Sequence, residues 1–208
     1  MFLRFNIMIF LYESTLELRY LESALAYNKI LSTSFVDQVG GGYFMTADDA
    51  EALIVRPKEL YDGAIPSGNS VQMLNLLKLA RLTGLSELEQ QAVETGKAFG
   101  ESVERSPSGF SQALIALGFA HGGSLEIVVV GERGSEDSRK MLEIINRSYK
   151  PGKVVLFKDS AEADALATVA PFTKEQGMVG GKTTVYLCRN FACEQPITSV
   201  EELEARLK

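Results

Sequence analysis

A chain of 208 residues, 46% hydrophobic and 23% charged, has the make-up of one large folded domain or two small ones, which excludes a disordered polypeptide. Its formal charge of −6, with no run of Lys or Arg, excludes a general nucleic-acid binder, whose phosphate-tracking surface needs clustered cations. Two cysteines are too few for a disulfide scaffold and point to a reduced, cytoplasmic protein.

From residue 1 to about 123 the pattern is helical. The opening MFLRFNIMIFLY is apolar but too short to span a bilayer before Glu13. Glu13, Glu17, Arg19 and Glu22 interrupt the apolar core that a signal peptide needs, so no membrane partner is expected. A second helix carries Leu21, Ala24, Leu25, Leu31 and Phe35. The glycines of DQVGGGYFMTADD break the helical pattern, and short extended pieces are expected at Tyr43–Thr46 and Ala52–Val55. A third helix covers Asn69 to Thr83, with polar positions Gln72, Asn75, Lys78 and Arg81 on one edge and apolar surface elsewhere, the pattern of a helix buried on several sides. SELE at 86–89 reads as a capping box opening a fourth helix. A fifth is expected to start with Ser106 as N-cap and Pro107 in the first helical position.

From residue 124 to 208 the rhythm changes. LEIVVVG and KVVLF read as buried strands flanking an amphipathic helix, which is a βαβ unit; TTVYLC is a further strand, and SVEELEARL is a closing helix with a Ser199–Glu202 capping box. With no low-complexity linker between them, the two portions are expected to pack together.

Few stretches carry chemistry. GERGSED, between a strand and a helix, lacks the Walker lysine and sets acids where a phosphate would be repelled, so it reads as a tight βα turn. Cys188 and Cys193 read as two reduced, mainly structural thiols, with a redox or disulfide role as the alternative. With His121 the single histidine, a zinc site or a Ser-His-Asp arrangement lacks partners, and neither metal nor cofactor is expected. Carboxylates remain for acid–base work: Asp48 and Asp49 after the glycine turn, and Asp62 in RPKELYDGAIPSGNS. Glycosyl chemistry needs two such groups about 5–10 Å apart across a pocket.

GGGYFMTADDAEALIVRPKELYDGAIPSGNSVQMLNLLKLARLTG, with LESALAYNKIL before it and TTVYLCRNFACEQPITSVEEL near the end, resembles the C-terminal region of the spermatogenesis-associated, thioredoxin-domain-containing proteins. That family joins a thioredoxin-like domain to an (α/α) toroid similar to N-acylglucosamine 2-epimerases and six-hairpin glycosidases. The resemblance implies a mainly α fold, a partial toroid of helical hairpins over 1–123 with a small α/β portion over 124–208. It also implies a C-terminal fragment without the thioredoxin-like domain or the first half of the ring. By the same resemblance KELYDGAIPSGNS is a lumen-facing loop that presents Asp62 as the catalytic group and Tyr61, Ser67 and Asn69 as binding groups, with Lys58, Asp48 and Asp49 as second choices. The implied partner is a carbohydrate or other small molecule. The alternative is a protein-interaction or redox-accessory module, and a half-ring leaves apolar helix faces for self-association.

Overall fold

The computed structural model describes residues 1–51 and 54–208, and it is mainly α with a small mixed sheet. Backbone contacts divide it into two compact units, Met1–Ala80 with Leu85–His121, and Arg81–Gly84 with Gly122–Lys208.

The first unit is helical: α1 (Phe2–Thr15), α2 (Leu18–Ser34), α3 (Gly68–Thr83, of which the last turn counts with the second unit), α4 (Ser86–Arg105) and α5 (Ser111–His121). Leu16, in the left-handed conformation, ends α1 and turns the chain within two residues into α2, so the two helices form a hairpin. Phe5, Ile9 and Tyr12 of α1 and Leu21, Ala24 and Leu31 of α2 are buried. Along α3, residues 69–73, 75–77, 79, 80, 82 and 83 are all buried, as its apolar circumference requires.

The polar edge of α3 does not face solvent. Gln72 and Asn75 are fully buried: Gln72 Nε2 donates to Asn28 Oδ1 of α2 at 3.0 Å, and Asn6 Nδ2 of α1 donates to Asn75 Oδ1 at 2.9 Å. Lys78 Nζ reaches both carboxylate oxygens of Glu13 at 2.8 and 2.9 Å. Three polar positions spaced by three residues therefore form a seam from α3 to the α1–α2 hairpin.

The glycine turn is dictated by crowding. Gly41 (φ 68°) and Gly42 (φ 72°) are left-handed, and a Cβ on Gly42 would stand 2.8 Å from the Phe99 ring of α4. Tyr43 makes a single bridge with Val36 rather than a strand, and the expected piece at Ala52–Val55 falls partly outside the described residues.

Two expected helix caps are corrected. Ser86 is the first residue of α4, after an extended N-cap at Leu85 that makes no side-chain cap bond, so the 86–89 capping box does not open the helix. Ser106 ends α4 instead of capping α5; Pro107–Gly109 form a 3-10 turn, and α5 begins at Ser111.

The second unit holds β1 (Leu125–Gly131), α6 (Glu136–Arg147), β2 (Lys153–Asp159), α7 (Ala163–Val169), β3 (Thr184–Arg189), β4 (Ala192–Cys193) and α8 (Val200–Leu207). Among the described residues the sheet order is β2-β1-β3-β4, with β1 and β2 parallel across the α6 crossover and β3 antiparallel to β1. Every residue of β1 is buried, as a central strand requires. Ser135 caps α6 by accepting from Ser138 N–H, and Ser199 caps α8 by accepting from Glu202 N–H.

Candidate functional site

Segment 56–70 leads into α3, and most of its polar side chains are bonded to backbone. Asp62, 8% exposed, accepts three amides: Ser67 N–H on Oδ1 at 2.9 Å, and Gln112 and Ala113 N–H on Oδ2 at 2.8 and 3.1 Å. The last two are first-turn amides of α5, which have no partner within the helix, and a carboxylate there also suits the helix dipole. Asp62 N–H in turn donates to Gly109 O at 2.8 Å. Asp62 thus closes its own turn and caps a helix 50 residues away. In this geometry the acid–base role expected of Asp62 gives way to a positioning one.

Ser67 Oγ accepts Ser70 N–H at 3.1 Å and donates to Ser70 Oγ at 2.9 Å, an N-cap arrangement for α3. Asn69, 2% exposed, takes Tyr43 N–H on Oδ1 at 2.7 Å and gives its amide protons to Tyr43 O and Glu59 O at 2.9 and 2.8 Å. One side chain thereby joins the glycine-turn segment, the 56–70 segment and α3. Lys58 Nζ is held by Asp37 Oδ2 at 2.6 Å and Gly41 O at 2.9 Å. Tyr61 is 59% exposed, its ring edge-on to Phe110 with centroids 6.2 Å apart. Asp48 and Asp49 are exposed.

A cavity of about 230 Å³ lies where this segment meets the start of α1. Met45, Glu59, Ile65, Pro66, Gly68 and Asn69 line it together with residues 1–3. Of the expected site residues Asn69 reaches it, whereas Lys58, Tyr61, Asp62, Ser67, Asp48 and Asp49 are not part of its lining. Glu59 is the one carboxylate in that lining, and sequence reading had passed over it in favour of its neighbours. No group of three or more His, Cys, Asp or Glu able to hold a metal occurs among the described residues.

Asp37 is the other residue missed. Its Oδ1 accepts Val39 and Gly40 N–H at 3.0 and 2.9 Å, while Oδ2 meets Lys58. The Gly40 amide, then Lys58, then the Val39 amide hold its pKa down at about 2. The signal was present: an Asp just before a glycine turn is the usual residue of a side-chain-closed turn.

In the second unit Cys188 and Cys193, directly opposite in the β3–β4 register, form a disulfide, which corrects the expectation of two reduced thiols. Cys188 is fully buried and Cys193 exposed, and Gln176 Nε2 lies 3.1 Å from the Cys193 sulfur. Two buried charges nearby were also unforeseen. Glu126, fully buried on β1, accepts Phe191 N–H at 3.2 Å with Arg81 Nη1 3.8 Å away. Lys158 on β2 donates to Thr173 O, Lys174 O and Gln176 O at 2.7, 3.1 and 2.7 Å, and burial pushes its pKa down.

No family model matches the chain. Over 198 residues, 95% of its length, it is 35% identical to spermatogenesis-associated protein 20 of Rattus norvegicus and 33% identical to that of Homo sapiens. The chain is a relative of spermatogenesis-associated protein 20. An uncharacterized protein of Caenorhabditis elegans matches 89% of the chain at 29% identity. The chain spans about a quarter (25%) of the length of the spermatogenesis-associated protein 20 relatives it matches. These matches support the family to which its sequence was likened.

Proposed function

We propose that the helical unit is part of an (α/α) toroid of the six-hairpin kind and binds a small carbohydrate in the cavity between segment 56–70 and the start of α1. The observation that carries this reading is Glu59, a carboxylate in the cavity lining beside Asn69, which anchors the cavity wall. At about 230 Å³ the cavity is smaller than the ~300 Å³ at which drug-sized pockets begin, which suits one sugar ring rather than an oligosaccharide. The α1–α2 hairpin supports the toroid part of the reading. Glycosyl chemistry needs two carboxyl groups. This cavity holds one, so an epimerase- or glycosidase-like step would take its second group from the rest of a longer protein. Titration of the chain with monosaccharides and N-acylated amino sugars, followed by amide NMR, tests the reading. Shifts clustered at Met45, Glu59 and Gly68, weakened in Glu59→Gln, are expected. Shifts scattered over the surface, or an unchanged response in Glu59→Gln, would sink it.

A second reading, a redox-accessory module, is favoured by the Cys188–Cys193 disulfide with one exposed sulfur. Alkylation mass spectrometry before and after treatment with a dithiol separates the two. Two thiols reacting only after reduction support it, and two free thiols in the untreated protein overturn it.

A further inference from the structure

We propose that the second unit carries a binding site for a small organic anion, a carboxylate or phosphate group on a short apolar body. The site is a cavity of about 350 Å³ where β1 and β2 begin and β3 ends, within the ~300–1,000 Å³ range of small-molecule pockets. Lys150, Arg189 and Arg206 face it, against a single carboxylate, Glu194. In a chain whose formal charge is −6, that concentration of cations stands out.

The charges divide into two sets. Glu194 Oε2 is held by Arg206 Nη1 at 2.7 Å, with Glu202 a further 3.9 Å from the same guanidinium, so this arginine is neutralised and fixed in place. Arg189 and Lys150 make no ion pair among the described residues, and both open on the same cavity. Arg189 projects from the end of β3, directly opposite Ala192, and Lys150 stands just before β2. An arginine guanidinium offers a planar pair of donors that matches a carboxylate or phosphate edge, and a lysine adds a point charge beside it.

The floor says what the rest of the ligand should be. Leu125, Leu187 and Leu207 line the cavity, as does Pro151, so the anionic group would sit among cations and an apolar body against leucines. The wall is tightly built: a Cβ on Gly152 would meet Gly123 O at 2.3 Å, so only glycine lets these two backbone segments approach. Cys188 and Arg189 are successive residues of β3 and point to opposite faces, so this site is separate from the disulfide. It lies wholly in the second unit and stands whether or not the first unit binds sugar.

Isothermal titration of the full chain with phenyl phosphate and with phenylacetate tests the proposal, with inorganic phosphate and benzyl alcohol alongside. Both aromatic anions are expected to bind with a Kd of about 1 mM or tighter. Inorganic phosphate alone is expected to be weaker, and benzyl alcohol silent. Arg189→Gln and Lys150→Gln should each weaken phenyl phosphate about tenfold, the loss of one charge-assisted contact. Lys140→Gln, on α6 and outside the cavity, should leave it unchanged. Arg189 is an exposed side chain, so its variant is expected to unfold at the wild-type temperature, which keeps the comparison interpretable. Equal binding of benzyl alcohol, no binding by either aromatic anion, or unchanged affinity in Arg189→Gln would overturn the proposal. Binding of phenyl phosphate but not phenylacetate would restrict the site to phosphate esters and support it in that form.

Discussion

At the scale of single residues, Asp62 shows how a carboxylate in a glycine- and proline-rich loop can have a structural task. It serves three backbone amides from two segments, so Asp62→Ala leaves buried donors without partners and should cost about 2–4 kcal/mol in chemical denaturation. Asp62→Asn keeps one acceptor and should cost less. If Asp62 had no such structural task, Asp62→Ala and Asp62→Asn would both unfold like wild type. Asp37 makes a pH prediction. Its pKa is lowered to about 2 in the folded chain from an ordinary value of 3.8, so the folded state binds its proton less readily than the unfolded state. The stabilisation it gives is therefore complete above about pH 4 and lost as the pH falls through 2. The stability gap between wild type and Asp37→Asn should accordingly be constant from pH 7 to 5 and close on further acidification. A gap that widened on acidification would contradict this assignment. The role of Asp62 could not be read from the chain, because its partners at 112 and 113 are brought close only by folding, whereas the turn that Asp37 closes is local and only its Lys58 partner is distant.

At the scale of elements, periodicity and composition located most helices and strands: the apolar spacing of α2 records which side is buried, and the largely apolar make-up of α3 and β1 records burial on several sides. They did not say what surrounds the polar positions of α3. Gln72, Asn75 and Lys78 are each met by a complementary side chain from α1 or α2, and hydrophobicity alone cannot distinguish a polar side chain paired inside the fold from one in solvent. They also misplaced the start of α5, whose cap comes from Asp62 rather than from the preceding serine. The glycine turn can be tested directly. Gly42→Ala combines a left-handed φ of 72° with a Cβ 2.8 Å from Phe99 and should destabilise by about 2–4 kcal/mol. Gly100→Ala, inside α4 with open space around it, should stabilise by about 0.5–1 kcal/mol. Denaturant midpoints of the two variants should move in opposite directions.

At the scale of the molecule, α1 is apolar on two faces. Phe5, Ile9 and Tyr12 are buried, whereas Leu3, Ile7 and Phe10 are 61%, 50% and 53% exposed at a spacing of four and three residues. An exposed apolar stripe of this kind favours association, and two copies of the chain meeting along it would cover both. Light scattering should show the average mass rising with concentration for wild type, and Ile7→Lys should hold the monomer mass over the same range. A wild-type monomer at high concentration would remove this surface from consideration. Among the described residues no helix is long and apolar enough to cross a membrane. The sequence by itself determined the mainly helical first part, the strand–helix–strand rhythm of the second and the family likeness, because hydrophobic period, glycine breaks and local motifs are properties of neighbouring residues. Only the tertiary structure decided that Asp62 caps a distant helix, that Glu59 and not Asp62 lines the cavity, and that Cys188 and Cys193 are joined. Each of these depends on which groups lie within a few ångströms across the fold, and spacing along the chain does not encode that distance.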